Sequence, residues 1–89
     1  MDVADFTQQD LHKAFAEELC ILDCLVRMQL GYRNGDYEKA KIAAENVARS
    51  FAELEKLRQR KITEDRLKNL IKKLDAEGVV AQVVVRYQA

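Results

Sequence analysis

The chain has 89 residues, with 15 lysines and arginines against 15 aspartates and glutamates, so its formal net charge is zero. That length makes one small domain, and that balance excludes a whole-molecule attraction to nucleic acid or anionic lipid, leaving only local patches. Apolar residues at 48%, charged residues at 34%, three glycines and no proline describe a folded protein with long elements and few corners.

Met1–Phe6 carries Asp2 and Asp5 and lacks the basic, apolar pattern of an export signal. The longest uncharged apolar stretch, Gly78–Val85, is far short of a membrane span. The expectation is a cytoplasmic protein with no membrane contact. Cys20 and Cys24, the only cysteines, fall one helical turn apart, where Cβ atoms are roughly 5–6 Å apart, beyond the ~3.8 Å of a disulfide. They read as two reduced, buried thiols. His12 is two turns before Cys20 and Asp23 is the nearest acid, so no four-ligand metal cage is laid out. No nucleophile with its base, no carboxylate pair and no glycine-rich phosphate loop is present. The chain reads as non-catalytic, without cofactor or metal.

The first helix is expected over about 8–33. Thr7 is placed to cap it, Asp10 stands three residues on, and Phe6 and Leu11 occupy the two positions of a hydrophobic staple. Leu11, Ala14, Glu18, Ile21, Leu25, Met28 and Tyr32 follow three- and four-residue steps. A second stripe runs through Phe15, Leu19, Leu22, Val26 and Leu30. Two adjacent stripes make a face wide enough for more than one neighbour. Asp23 and Arg27 form a favourable acid-first pair on the polar edge.

Gly31–Asp36 reads as a corner: Asn34 and Gly35 tolerate the left-handed backbone that ends a helix, and Asp36 can cap the next. A second helix over about 36–60 carries Tyr37, Ala40, Ala44, Val47, Phe51 and Leu54 as its inner stripe. Ala40, Ala43, Ala44, Ala48 and Ala52 would let it pack closely against the first. Glu45, Arg49 and Glu53 make a solvated charge ladder. Two helices of about 24 residues are each roughly 36 Å long, so the hairpin is predicted to be elongated and to leave apolar surface for a partner.

Ile62, Thr63 and Leu67 repeat the staple-and-cap arrangement, followed by Glu64 and Asp65, and predict a third helix over about 64–77 that buries Leu67, Leu70, Ile71 and Leu74. After Gly78 the run Val79–Gln88 is β-branched and aromatic and predicts a strand over about 79–87. One face would carry Val79, Ala81, Val83, Val85 and Tyr87. No second strand is evident within the chain, so three outcomes stand open: pairing with a second copy, addition to a partner's sheet, or a helical ending instead.

The stretch Ile62–Val80, with Leu74 and Gly78 leading into Val79 and Val80, resembles the end of a winged helix-turn-helix domain, where a recognition helix runs into a wing strand. That resemblance implies DNA contacts by Arg66, Lys68, Asn69, Lys72 and Lys73. It covers only part of the chain, and the zero net charge and the length of the second helix depart from the pattern. Asn34-Gly35-Asp36-Tyr37-Glu38-Lys39-Ala40 resembles the inter-helix corner of a tetratricopeptide repeat. Cys24, Arg27 and Met28 stand where that repeat has its bulky residue and Leu-Gly pair, and no second copy follows.

The sequence therefore predicts a mainly α fold: a long antiparallel hairpin, a shorter third helix and a C-terminal strand, completed by oligomerisation. The expected function is non-catalytic protein binding, as adaptor, chaperone or inhibitor of a larger protein, in a homo-oligomer with a dimer favoured. Val79, Val83, Val85, Tyr87, Leu25 and Met28 are the candidate association residues. A winged-helix DNA-binding regulator is the alternative.

Overall fold

In a computed structural model that describes residues 1–77, two short 3-10 turns, Val3–Asp5 and Gln8–Asp10, lead into α1 (Leu11–Arg33), and a three-residue corner leads into α2 (Tyr37–Ala76). The fold is mainly helical and extends 66 × 23 × 16 Å, with a radius of gyration of 20.0 Å. A compact chain of this length would have a radius of about 12 Å.

The start of α1 follows its local chemistry. Thr7 Oγ1 accepts from the Asp10 amide at 3.1 Å, capping the turn that becomes the helix. Phe6 is buried against Ala14 and Leu57, with Leu11 packed beside them. The staple residue thus also fastens the N-terminal segment to α2. Asp10 does not reach back to its own turn. Its side chain, only 3% exposed, accepts from Arg60 Nη1 at 3.0 and 3.3 Å, a pair that ties the base of α1 to α2.

The corner is a Schellman arrangement. Asp36 N–H donates to Gly31 C=O at 2.8 Å and Gly35 N–H to Tyr32 C=O at 3.2 Å. Gly35 has φ of 71°, and Asp36 caps α2 by accepting from the Lys39 amide at 3.2 Å. Gly31 is buried because the first turn of α2 passes over it: a Cβ there would lie 2.9 Å from both Ala40 N and Asp36 O.

The two helices meet along one stripe each. Ile21, Cys24, Ala43 and Val47 form one buried cluster, joined by Met28 and Leu54. The Phe6–Ala14–Leu57 cluster continues it toward the open end. Ala14, Ile21 and Met28 come from the stripe expected of α1. On α2 the inner stripe is Ala43, Val47, Ser50, Leu54 and Leu57, one position round from expectation. Tyr37, Phe51, Ala48 and Ala52, expected inside, are exposed. The observed stripe keeps small side chains, Ala43 and Ser50, at the contact, where bulky Phe51 would hold the helices apart.

The separate third helix is corrected: α2 runs without a break through Lys61, Ile62 and Thr63. A cap needs its residue to leave helical geometry, and no glycine or proline lies between Tyr37 and Glu77 to favour that. Ion pairs bridge the expected break instead, Lys61 to Asp65 at 2.9 Å and Glu64 to Lys68 at 3.0 Å. With 40 residues, α2 is about 60 Å long, against about 34 Å for α1. Since Arg60 stands level with the start of α1, Lys61–Ala76 forms an overhang of about 24 Å. The strand expected at 79–87, with Val79, Val83, Val85 and Tyr87, lies outside the described residues. None of the described helices is long and apolar enough to cross a membrane.

Candidate interaction surface

A two-layer hairpin covers each helix on one side only, and among the described residues no large side chain is completely enclosed. What α1 carries on its other side therefore decides the chemistry of the molecular surface. At about 100° per residue, Phe15, Leu19, Leu22 and Val26 are centred about 130° round the helix from Ala14, Ile21 and Met28. All four are exposed, Leu19 most of all at 68% and Leu22 at 55%. Leu25 and Leu30 widen the same band.

The rims of this band are charged. On one side Arg27 Nε pairs with Asp23 Oδ2 at 3.0 Å, as the acid-first spacing predicts. On the other, the N-terminal ammonium lies 3.9 Å from Glu18 Oε1. An apolar strip bordered by ion pairs is the usual composition of a protein-binding patch.

A second apolar group sits on the overhang. Leu67, Leu70 and Ile71 are exposed; at about 100° per residue Leu67 and Leu70 lie on the side of α2 away from the Ala43–Val47–Leu54 stripe, and Ile71 lies between the two sides. Arg66, Lys68, Asn69, Lys72 and Lys73 are also exposed there, and at about 100° per residue they fall within one arc of about 160°. Glu64 holds the Lys68 ammonium by a hydrogen bond and raises its pKa above the ordinary lysine value.

The sequence-derived association residues divide. Leu25 is exposed at the edge of the α1 band, whereas Met28 packs into the hairpin core against the Ile21–Val47 cluster. Four residues absent from that set, Phe15, Leu19, Leu22 and Val26, form the centre of the surface. Their signal in the sequence is the second stripe itself, which the hairpin contact leaves unused.

Cys20 is exposed and Cys24 buried, both as free thiols, with Sγ atoms 4.0 Å apart. Burial, reinforced by the hydrogen bond and charge of Cys20, pushes the Cys24 thiol pKa up. Among the described residues no group of three or more His, Cys, Asp or Glu side chains is arranged to hold a metal ion.

Comparison of the chain with protein-family models, with curated proteins and with solved structures finds no match.

Proposed function

We propose that the protein is a non-catalytic protein-binding module that acts on a larger protein as adaptor, chaperone or inhibitor, with the outer face of α1 as its docking surface. The observation that carries this reading is the unpartnered Phe15–Leu19–Leu22–Val26 strip, exposed on the side of α1 away from the hairpin contact. Water-facing leucines at this density lose several kcal/mol of transfer free energy, at about 25 cal/mol per Å² of apolar area, and a partner that covers them recovers it. Two unpaired thiols suit a reducing compartment such as the cytoplasm.

The test is affinity capture from the native host's lysate, with and without nuclease, using the full chain and a Leu19→Glu/Leu22→Glu variant. A stoichiometric protein that survives nuclease and is lost with the variant supports the reading. Equal capture by both chains removes the α1 face from the function.

The alternative, DNA binding through Arg66, Lys68, Asn69, Lys72 and Lys73, draws on the exposure of all five on the overhang. It requires nucleic acid to be recovered in the capture. It further requires that replacing Lys68, Lys72 and Lys73 with Glu abolish retention on heparin and on random duplex.

A further inference from the structure

We propose that the outer face of α1 pairs with the same face of a second copy, antiparallel, with Leu19 against Leu22 and Phe15 against Val26 of the other chain. This rests on the reading of that face as a docking surface and makes a second copy its occupant in the free protein, which a larger protein partner would displace.

The spacing of the strip is the first argument. Phe15, Leu19, Leu22 and Val26 are separated by four, three and four residues, the alternation of a coiled-coil seam with Leu19 and Val26 as one class of position and Phe15 and Leu22 as the other. Antiparallel seams set one class against the other. With the two-fold axis between Cys20 and Ile21, all four apolar residues meet apolar residues, and the layers beyond them pair His12 with Gln29. Moving the axis one step toward the C-terminus of α1 sets Phe15 against Arg33 and Leu19 against Gln29. Moving it the other way sets His12 against Leu22 and leaves Val26 beyond the start of the second helix. One register keeps the strip whole.

Charge decides the direction. In a parallel pair the flanking positions five residues apart face each other, which brings Glu18 against Asp23 twice and stacks Arg33 on its own copy. The antiparallel pair faces Asp23 with Ala16 and Glu18 with Leu25, so no like charges oppose across the seam. The Asp23–Arg27 ion pair stays at the rim.

Area is the third argument. The accessible surface is 7173 Å², whereas a compact protein of this mass exposes roughly 5,300 Å². The strip with Leu25 and Leu30 offers on the order of 500 Å² per copy, and a pair therefore reaches the ~1,000 Å² at which specific interfaces begin. The product is a layer of four helices in which each α1 has α2 on one side and the second α1 on the other. The two overhangs project from opposite ends.

The experiment uses the full chain in sedimentation equilibrium, followed by cross-linking in a Cys20→Ser/Cys24→Ala background. The expected mass is twice that of the 10.2 kDa chain, and Leu19→Glu/Leu22→Glu, still helical by circular dichroism, raises the dissociation constant ~100-fold or more. Phe15→Cys and Val26→Cys chains cross-link when mixed and not when separate, since antiparallel pairing holds the two copies of position 15 about 16 Å apart along the axis. Cross-linking of Phe15→Cys with itself overturns the antiparallel register. A monomer at 100 µM (roughly the upper range of such assays) overturns self-pairing. If that monomer still loses a captured host protein on Leu19→Glu/Leu22→Glu substitution, the docking surface stands with a different occupant. If it does not, both readings fall.

Discussion

Replacing Gly31 with alanine sets two opposed effects against each other at a single carbon atom. Gly31 is helical, so alanine raises the local helix propensity by about 0.8–1.0 kcal/mol. Against that, the new Cβ would lie 2.9 Å from Ala40 N, 2.9 Å from Asp36 O and 3.2 Å from Ala40 Cα. All three are backbone atoms at the first turn of α2, and none can rotate away. Relief requires α2 to move off α1 by a few tenths of an ångström, which strains the 2.8 Å bond from Asp36 N–H to Gly31 C=O and loosens Met28 against Ala43 and Val47. Overpacking of this kind costs about 1–3 kcal/mol, and loss of the corner hydrogen bond about 1 kcal/mol. The steric side wins, with a net loss of about 2 kcal/mol, or a fall in Tm of about 8–16 °C for a domain of this size. Thermal unfolding followed by circular dichroism measures it, at one fixed protein concentration because association shifts the transition. Gly35→Ala is the control: nothing lies within 4 Å of its Cβ, so only the φ of 71° is penalised, by about 1–2 kcal/mol. A Gly31→Ala protein as stable as the parent or more so would refute the close approach of the two helices at this corner.

The Asp10–Arg60 pair predicts an asymmetry, because Asp10 is 3% exposed at its side chain and Arg60 54%. Arg60→Met leaves a buried carboxylate without its cation and should cost about 2–3 kcal/mol, whereas Asp10→Asn leaves a solvated guanidinium and should cost about 1 kcal/mol; equal losses in urea titrations would contradict this placement. Alkylation by iodoacetamide near neutral pH should label Cys20 well before Cys24, as read by peptide mass spectrometry. Because the Cys24 pKa is raised by burial, its reaction should gain only at alkaline pH, and preferential labelling of Cys24 at pH 7 would reverse the assignment.

Local chemistry was readable where the signal is local. Thr7, Asn34, Gly35 and Asp36 act at the ends where their side chains or backbone freedom suit them, and Asp23 meets Arg27 one turn away. Ala14, Ile21 and Met28 share one face because of their seven-residue spacing, and that face meets α2. Asp10 shows the limit. Its neighbours suggest a capping carboxylate, but its partner is Arg60, 50 residues distant, and nothing within one turn of sequence announces that meeting. Ile62–Thr63–Leu67 shows the converse, a start signal overridden by an uninterrupted helix-forming stretch. Glu45, Arg49 and Glu53 have ladder spacing, yet Arg49 donates to Asn46 and Glu53 pairs with Lys56, since several partners compete within reach on a solvated helix face. The α1 surface was legible as a second stripe. Which stripe turns inward depends on the packing of α2, and the small residues Ala43 and Ser50 decide it.

The unbroken passage of α2 beyond Arg60 gives its two parts different origins of stability. Sixteen residues are close to the shortest length at which a free helix holds together in water, chiefly because the first turn is costly to nucleate. In α2 that turn has already formed within the hairpin, so Lys61–Ala76 needs only to extend it, one hydrogen bond per residue. Such a segment opens from the end away from the hairpin, in steps far smaller than global unfolding. Its backbone amides should therefore exchange with solvent in order of distance from Arg60. A protein that grips Leu67, Leu70 and Ile71 would meet a helix already started and would arrest the fraying, at a smaller entropic cost than folding a disordered peptide would impose.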